Sequence, residues 1–221
     1  MAVTNPDDSD GGIAESVVEL LIERVLPFPW ASGLVAGSGA FVLGYLLLGA
    51  YYLAGVIKEL PGSISEKAMQ LGFILYNAHT ITLIPEAAEP LPSGQSIARQ
   101  SFSLLANATD AGLYYAVPIL AILGATVAFT YWYDPDERSV TLAVMTGLSM
   151  TIGYLLLALL GTFLFVQVQE TNPASGSAIT IAFHPNRIQT LLYGLIYPLV
   201  VGFVGSLPAQ VVDGVQLDAV G

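Results

Sequence analysis

Long uncharged runs dominate the pattern of hydrophobic and polar positions along the chain. Four of them are bounded by charged residues and supply the roughly 20 apolar residues that carry a helix across a hydrocarbon core of about 30 Å. Because a bilayer offers backbone groups no partners, such runs fold as helices that satisfy their own hydrogen bonds. The pattern predicts spans at about 33–57, 113–133, 142–166 and 188–207. The predicted fold class is therefore an all-α integral membrane protein, a four-transmembrane-helix bundle.

Two shorter helices are predicted beside these spans. Residues 13–29 place apolar side chains on one face and glutamates on another, which predicts an N-terminal amphipathic helix on the membrane surface. Residues 68–85 are uncharged but interrupted by polar positions, which predicts an interfacial or re-entrant helix in the first long loop. The predicted organisation is a disordered acidic tail (1–12), the surface helix (13–29), a single transmembrane domain (30–212) and a second tail (213–221).

The two connections after the second span make further predictions. Residues 134–138 form a short link, so the second and third spans should be antiparallel neighbours. Between the third and fourth spans, β-branched or alternating positions flank the turn-rich stretch 171–176. That pattern predicts a β-hairpin.

Composition agrees with a bilayer environment. Of 221 residues, 54% are hydrophobic and only 10% are charged, whereas soluble domains are about 25% charged. Six basic residues stand against 17 acidic ones, for a net charge of −11. This balance excludes nucleic-acid binding and polybasic recognition of anionic lipid. The acidic excess predicts a halophilic archaeal source, with an acidic bacterial membrane protein as the alternative.

The distribution of basic residues only weakly indicates how the chain is oriented across the membrane. With the N-terminus inside, the inner side carries two basic residues, Arg24 and Arg138, and the outer side carries four. Taken literally, the positive-inside rule would place the N-terminus outside. Long loops, however, translocate largely regardless of charge. We expect a multi-pass plasma-membrane protein with both termini cytoplasmic.

Small residues mark where the spans should pack, because lipid provides no hydrophobic drive between helices. They indicate close contacts either within one chain or with a further copy or another membrane protein. The candidate packing residues are Gly33, Gly37, Ala40 and Gly44 in the first span, Ser149 and Gly153 in the third, and Gly202 and Ser206 in the fourth.

Prolines interrupt the second and fourth spans at Pro118 and Pro198, and each should kink its helix. Each is preceded by a pair of tyrosines. The first and third spans share the sequence Gly-Tyr-Leu-Leu-Leu, starting at Gly44 and Gly153. The order of these features is compatible with a parallel two-plus-two repeat, a pattern found among transporters.

Catalytic chemistry is scarce in this sequence. No predicted span contains Asp, Glu, Lys, Arg or His, which argues against a proton-coupled pump with a midplane site. A neutral-solute path could still be lined by Ser38, Tyr45, Thr126, Thr151 and Tyr154. Cysteine is absent, so thiolate chemistry is excluded. The histidines and their nearest acidic candidates (His79, Glu86, Glu89 and His184) lack the tight spacing of metal ligands, so no metal, cofactor or catalytic residue is expected.

The stretch Tyr76-Asn77-Ala78-His79, after a first span with Gly37, Gly39 and Gly44, resembles a family of uncharacterised four-span membrane proteins of halophilic archaea. The likeness covers about the first half of the chain. It departs at Thr80, where an aromatic residue would be expected. The resemblance implies a membrane environment and a four-span topology, and it marks Asn77 and His79 as a possible functional loop helix.

Two classes of function fit these features. The first is a non-enzymatic accessory or scaffold subunit that assembles through its small-residue helix faces. The second is a small oligomeric channel or carrier for a neutral solute, built around the proline-containing spans. The expected partners are the lipid bilayer and either further copies of the chain or another membrane protein.

Overall fold

The computed structural model describes residues 21–57, 60–87, 101–133, 139–171 and 179–211. Four of its helices are long and apolar enough to cross a membrane. The five α-helices are α1 (Trp30–Leu53), α2 (Ile64–Ala78), α3 (Ala111–Tyr133), α4 (Val140–Leu164) and α5 (Arg187–Val211). The predicted spans correspond to α1, α3, α4 and α5, and are confirmed as helices of membrane-crossing length and composition.

Helix α2 is the helix predicted in the first long loop, but it begins and ends earlier than residues 68–85. Its start is fixed by a capping box between Ser63 and Glu66, in which each side chain accepts the other residue's backbone N–H. Its end is fixed by Thr80, whose φ of 64° cannot continue a right-handed helix. The chain then becomes a strand, so the last part of the predicted helix is wrong.

A small antiparallel sheet corrects the all-α prediction. Strands β1 (Leu83–Ala87), β2 (Gln167–Thr171) and β3 (Ile179–Pro185) pair in the order β1-β3-β2. Strands β2 and β3 form the predicted hairpin, with Gln167 opposite Phe183. Strand β1 adds to the other edge, with Leu83 opposite Pro185. Pro85 is tolerated there because it does not need to donate to a central ladder.

The four long helices form a ring in which α4 and α5, α1 and α4, α1 and α3, and α3 and α5 are the packed neighbours. Helices α3 and α4 lie across the ring and meet through side chains, as where Thr126 Oγ1 is 3.3 Å from Met150 Sδ. The prediction that these two spans would be neighbours is therefore wrong. A short link restrains only the helix ends, whereas close contacts at glycines bring α4 against α1 and α5.

The sheet and α2 share one end of the ring, which we call the cap end. There α1 and α4 end and α3 and α5 begin. At the opposite end Phe28 is buried against Phe129 and Tyr133. Most of the predicted segments 1–12, 13–29 and 213–221 lies outside the described residues. Of the predicted surface helix, residues 21–29 are described: Leu21–Val25 forms one π-helical turn, and residues 26–29 are not helical, so the prediction is wrong there.

Candidate functional site

Helix α2 lies at the cap end of the ring, where its residues 71–78 are buried. At its last turn, the ring of His79 contacts Tyr154 of α4 and Tyr197 of α5. Both tyrosines lie about 15 Å along their helices from the cap end, at roughly 1.5 Å per residue. We define the α2 site as Tyr76, Asn77, His79, Tyr154 and Tyr197.

His79 has one determined tautomer. Nδ1 lies 2.7 Å from the carbonyl oxygen of Leu75, which can only accept, so Nδ1 carries the hydrogen. Nε2 of the neutral ring is then an acceptor, and the hydroxyl of Tyr154 donates to it. Burial lowers the pKa of His79 to about 4, against a partly opposing backbone hydrogen bond to Leu75. The imidazole is therefore neutral near pH 7.

Asn77 joins the last turn of α2 to two segments that follow this helix in the chain. Its Nδ2 donates to the Ile81 carbonyl at 2.7 Å, and its Oδ1 accepts from the Leu104 N–H at 2.7 Å. The side chain is 1% exposed, so these bonds are shielded from water. Tyr76 similarly donates its hydroxyl to the carbonyl of Ala158 on α4. Burial raises the pKa of the Tyr76 hydroxyl, which keeps it a neutral donor.

The turn after α2 is strained. The Thr80 N–H donates to Asn77 O and the Ile81 N–H donates to Tyr76 O, the paired bonds of a Schellman motif. Glycine normally occupies the left-handed position of that motif, whereas here a β-branched residue adopts a φ of 64°. Thr80 is also exposed although the preceding residues of α2 are buried. A polar, strained residue therefore marks the accessible edge of the α2 site.

Tyrosines surround this site. Nine of the 11 tyrosines belong to, or pack against, the buried cluster that contains Tyr76 and Tyr154. The pairs that precede the two prolines are among them. Tyr114 and Val117 place Pro118 beside this cluster, and Tyr197 places Pro198 beside His79. Both prolines lie inside continuous helices.

The predicted packing residues of the first and third spans meet inside the chain. A Cβ at Gly37 would collide with the Met150 carbonyl, and one at Gly153 would collide with the Leu34 carbonyl. Ser38 Oγ also donates to Gly153 O at 3.2 Å. The other predicted positions on these two helices, Gly33, Ala40, Gly44 and Ser149, are likewise buried, with Gly33 against Ser149 and Gly44 near Leu75.

The fourth-span residues face α4 in the same way. Gly202 would place a Cβ 3.3 Å from the Gly147 Cα, and Ser206 Oγ donates to Ala143 O at 3.3 Å. The small-residue seams therefore hold the ring together. Their contacts are within one chain, which is one of the two alternatives that the sequence left open.

The histidines lie in different places. His184 Nε2 is 2.9 Å from Glu86 Oε2, joining β3 to β1, while His79 is inside the ring. Glu89 lies outside the described residues. Within the described parts of the chain, no group of three or more His, Asp or Glu residues is arranged to hold a metal ion.

An apolar groove of about 620 Å³ opens between α1 and α3 on the outside of the ring. We call it the α1/α3 groove. A Cβ at Gly39 would meet open space there, unlike one at Gly37 two positions earlier. Small residues line much of the groove: Ala31, Ser32, Ala36, Gly39, Ala125 and Ala128.

Sequence reasoning named Asn77 and His79 but not the partners that complete their environment. The helical spacing of Tyr76 and His79, three positions apart, could have placed both side chains on one face of α2. The sequence singles out Tyr154 only as a residue that could line a solute path, and Tyr197 only as a neighbour of Pro198. Which long-range residues would contact His79 depends on where α2 packs against the ring, and no local pattern encodes that position.

The comparisons with known proteins give one match. A model of the family of unknown function DUF7978 matches residues 26–213, which is most of the chain and includes the whole α2 site. Neither the curated proteins nor the solved structures contain a match to this chain. This match supports the expectation, drawn from the resemblance, that the family is uncharacterised. The chain belongs to the DUF7978 family of unknown function.

Proposed function

We propose that the protein is a non-enzymatic membrane carrier or channel for a small neutral solute that passes through the α2 site. The observation that carries this proposal is the position of His79, whose ring contacts Tyr154 of α4 and Tyr197 of α5. An ionisable residue among spanning helices, with a defined partner, is most often functional.

The absence of ionisable residues from the four spans argues against such a site. This argument no longer holds, because α2 places the ionisable residue His79 against two of the spans. Backbone that leaves a helix inside a membrane protein is tolerated where protein buries it or where it lines a water-filled cavity. The exposed Thr80 beside His79 gives a route of access.

Solute uptake by proteoliposomes tests the proposal. Purified protein is reconstituted, and swelling after an osmotic step with urea or glycerol is followed by light scattering. We expect uptake faster than in empty liposomes, and slower uptake with His79→Phe. Tyr154→Phe provides a second variant if the first fails to fold. Tyr131→Phe is the matched control, because Tyr131 is 88% exposed and lies at the opposite end of the ring. Uptake no faster than in empty liposomes would overturn the proposal.

A second function, an accessory or scaffold subunit, is favoured by the α1/α3 groove. Its small residues would let a transmembrane helix of another membrane protein approach closely. This assembly would use Gly39 rather than Gly37, because Gly37 already contacts Met150 within the chain. Purification in mild detergent, followed by native mass spectrometry, would identify a bound protein or a homo-oligomer.

Gly39→Leu should release such a partner. Gly124→Leu is the matched control, since a Cβ at Gly124 also meets open space on a spanning helix but Gly124 does not line the groove. Loss of the partner in both variants, or in neither, would contradict a groove-specific assembly.

Location and source are part of the proposal. We place the protein in the plasma membrane with both termini cytoplasmic, and therefore the cap end outside. The chain lacks cysteine, so single cysteines can report sidedness. Ser101→Cys at the cap end should react with an impermeant maleimide in intact cells, whereas Tyr131→Cys at the other end should not. The reverse pattern would invert the topology.

The acidic balance supports a halophilic archaeal source, in which carboxylates keep a protein hydrated in concentrated salt. The detergent-solubilised protein should then unfold at a higher temperature in molar potassium chloride than in dilute buffer. A melting temperature independent of salt would count against this source.

A further inference from the structure

Resting on the proposed function, we propose that the solute is a small uncharged hydrogen-bond donor. It is recognised by acceptors in the cap-end half of the ring: Nε2 of His79 in the α2 site and the backbone carbonyls of Tyr114 and Gly194. Ureas and small polyols are the chemical class that carries several donors without a charge.

The first acceptor follows from the tautomer of His79. Because Nδ1–H is committed to Leu75 O, Nε2 can only accept, and the Tyr154 hydroxyl now fills it. A solute hydroxyl or amide can replace that donor one for one. The Tyr154 hydroxyl is free to rotate and can bond to the bound solute in turn. Such an exchange leaves no buried acceptor unsatisfied.

The other acceptors follow from the two prolines. Proline has no N–H, so Pro118 cannot donate to Tyr114 O and Pro198 cannot donate to Gly194 O. Tyr114 belongs to the buried cluster of Tyr76 and Tyr154. Gly194 is buried one turn before Pro198, beside Leu155 and Ala158. Both carbonyls therefore lie in the half of the ring that contains the α2 site.

These acceptors decide the solute class. A buried acceptor is costly to leave unpaired, so a molecule without donors would displace Tyr154 and gain nothing in exchange. An anion would be repelled by the carbonyl oxygens. A cation would be attracted by them, but the α2 site contains no carboxylate to offset the cost of removing the water around the cation. Aromatic rings on several sides favour a compact molecule with an apolar skeleton.

The test compares solutes of similar size that differ in their donors. Urea and glycerol carry donors, whereas N,N-dimethylformamide and dimethyl sulfoxide are uncharged and carry none. After the uptake by empty liposomes is subtracted, we expect uptake of the donor-free solutes to be at least about fivefold slower, because two or more hydrogen bonds are lost.

Proline substitutions make a matched variant set. Pro118→Ala and Pro198→Ala each restore a backbone N–H, which can donate to the carbonyl of Tyr114 or Gly194 and so occupy that acceptor. Neither substitution removes a polar side chain. Each should slow urea uptake by about two- to tenfold, the effect of one lost hydrogen bond. Because alanine favours a helix, the variants should fold at least as stably as the parent. Pro208→Ala is the control, since Pro208 is exposed near the far end of α5.

The outcomes separate the two proposals. If no solute enters faster than in empty liposomes, the carrier function itself fails. If, after subtraction of the empty-liposome rate, donor-free solutes enter as fast as urea, or if Pro118→Ala and Pro198→Ala leave urea uptake at the Pro208→Ala level, the carrier function stands and the donor recognition is wrong.

Discussion

The hydroxyl of Tyr154 donates a hydrogen bond to Nε2 of His79, although 75 positions separate the two residues. This contact joins the end of α2 to the centre of α4. Both side chains are almost completely buried, His79 at 2% and Tyr154 at 1% exposure. It is therefore the clearest sign that the end of α2 packs among the long helices and does not lie on their outer surface.

Tyr154→Phe should destabilise the protein. The substitution keeps the ring but leaves Nε2 of His79 without a donor inside the bundle. An unsatisfied buried acceptor costs about 1–3 kcal/mol in water-soluble proteins, and hydrogen bonds within membranes average nearer 0.6 kcal/mol. We expect a loss of about 1 kcal/mol, measured by unfolding in mixed detergent micelles. Tyr131→Phe should leave the free energy of unfolding unchanged, and an equal loss in both variants would contradict the buried bond.

Gly37→Ala should be among the most disruptive single-methyl additions on α1. Its Cβ would collide with the backbone carbonyl of Met150, so α1 and α4 would have to separate. Overpacking of this kind costs about 1–3 kcal/mol. Gly49→Ala is the control on the same helix, because a Cβ there meets open space. It should raise stability by up to about 1 kcal/mol through helix propensity.

The four spans could be predicted because an uncharged run of about 20 residues has few other ways to fold. The hairpin of β2 and β3 could also be predicted, from the β-branched residues on either side of its turn. Which helices pack against each other could not be predicted, because the packing depends on which helix each glycine contacts. Gly37 and Gly39 are nearly adjacent in the sequence, yet one contacts Met150 closely and the other faces open space.

The candidate site was predicted in part for a related reason. Asn77 and His79 stood out as polar residues in an apolar helix. The end of that helix was misplaced because Thr80 adopts a backbone conformation that its side chain disfavours. Local propensity does not predict this conformation, because hydrogen bonds of the flanking residues hold Thr80 in it. Asn77 bonds to Ile81 and Leu104, and Thr82 bonds to Gln189.

Thr80→Gly should stabilise the protein. A left-handed conformation costs a residue with a Cβ about 1–2 kcal/mol, and glycine avoids that cost. Part of the gain is offset because glycine is more flexible in the unfolded chain and because the Thr80 hydroxyl loses its bond to the His79 carbonyl. We expect a net gain of up to about 1 kcal/mol in the unfolding assay.

Thr80→Ala separates backbone strain from the hydroxyl. It keeps the strain and removes the hydroxyl, so it should be no more stable than the parent. If Thr80→Gly were as unstable as Thr80→Ala, the strain at this position would not limit stability. If the strain serves solute passage, the stabilised glycine variant should also transport more slowly than the parent.

The start of α2 should loosen in acid. Ser63 donates its backbone N–H at 2.6 Å and its hydroxyl at 2.8 Å to Glu66 Oε2. These bonds favour the carboxylate and hold the pKa of Glu66 below its usual value of 4.5. A lowered folded-state pKa means that the stabilisation is complete above pH 4.5 and is lost as the pH falls through the folded-state value. Hydrogen exchange of the amides in the first turn of α2 should therefore show less protection, relative to the rest of the helix, as the pH is lowered from 5 to 3. Glu66→Gln keeps a capping side chain that does not titrate. The relative protection of its first turn should stay constant over this range, and a parallel loss in parent and variant would assign the acid effect to another group.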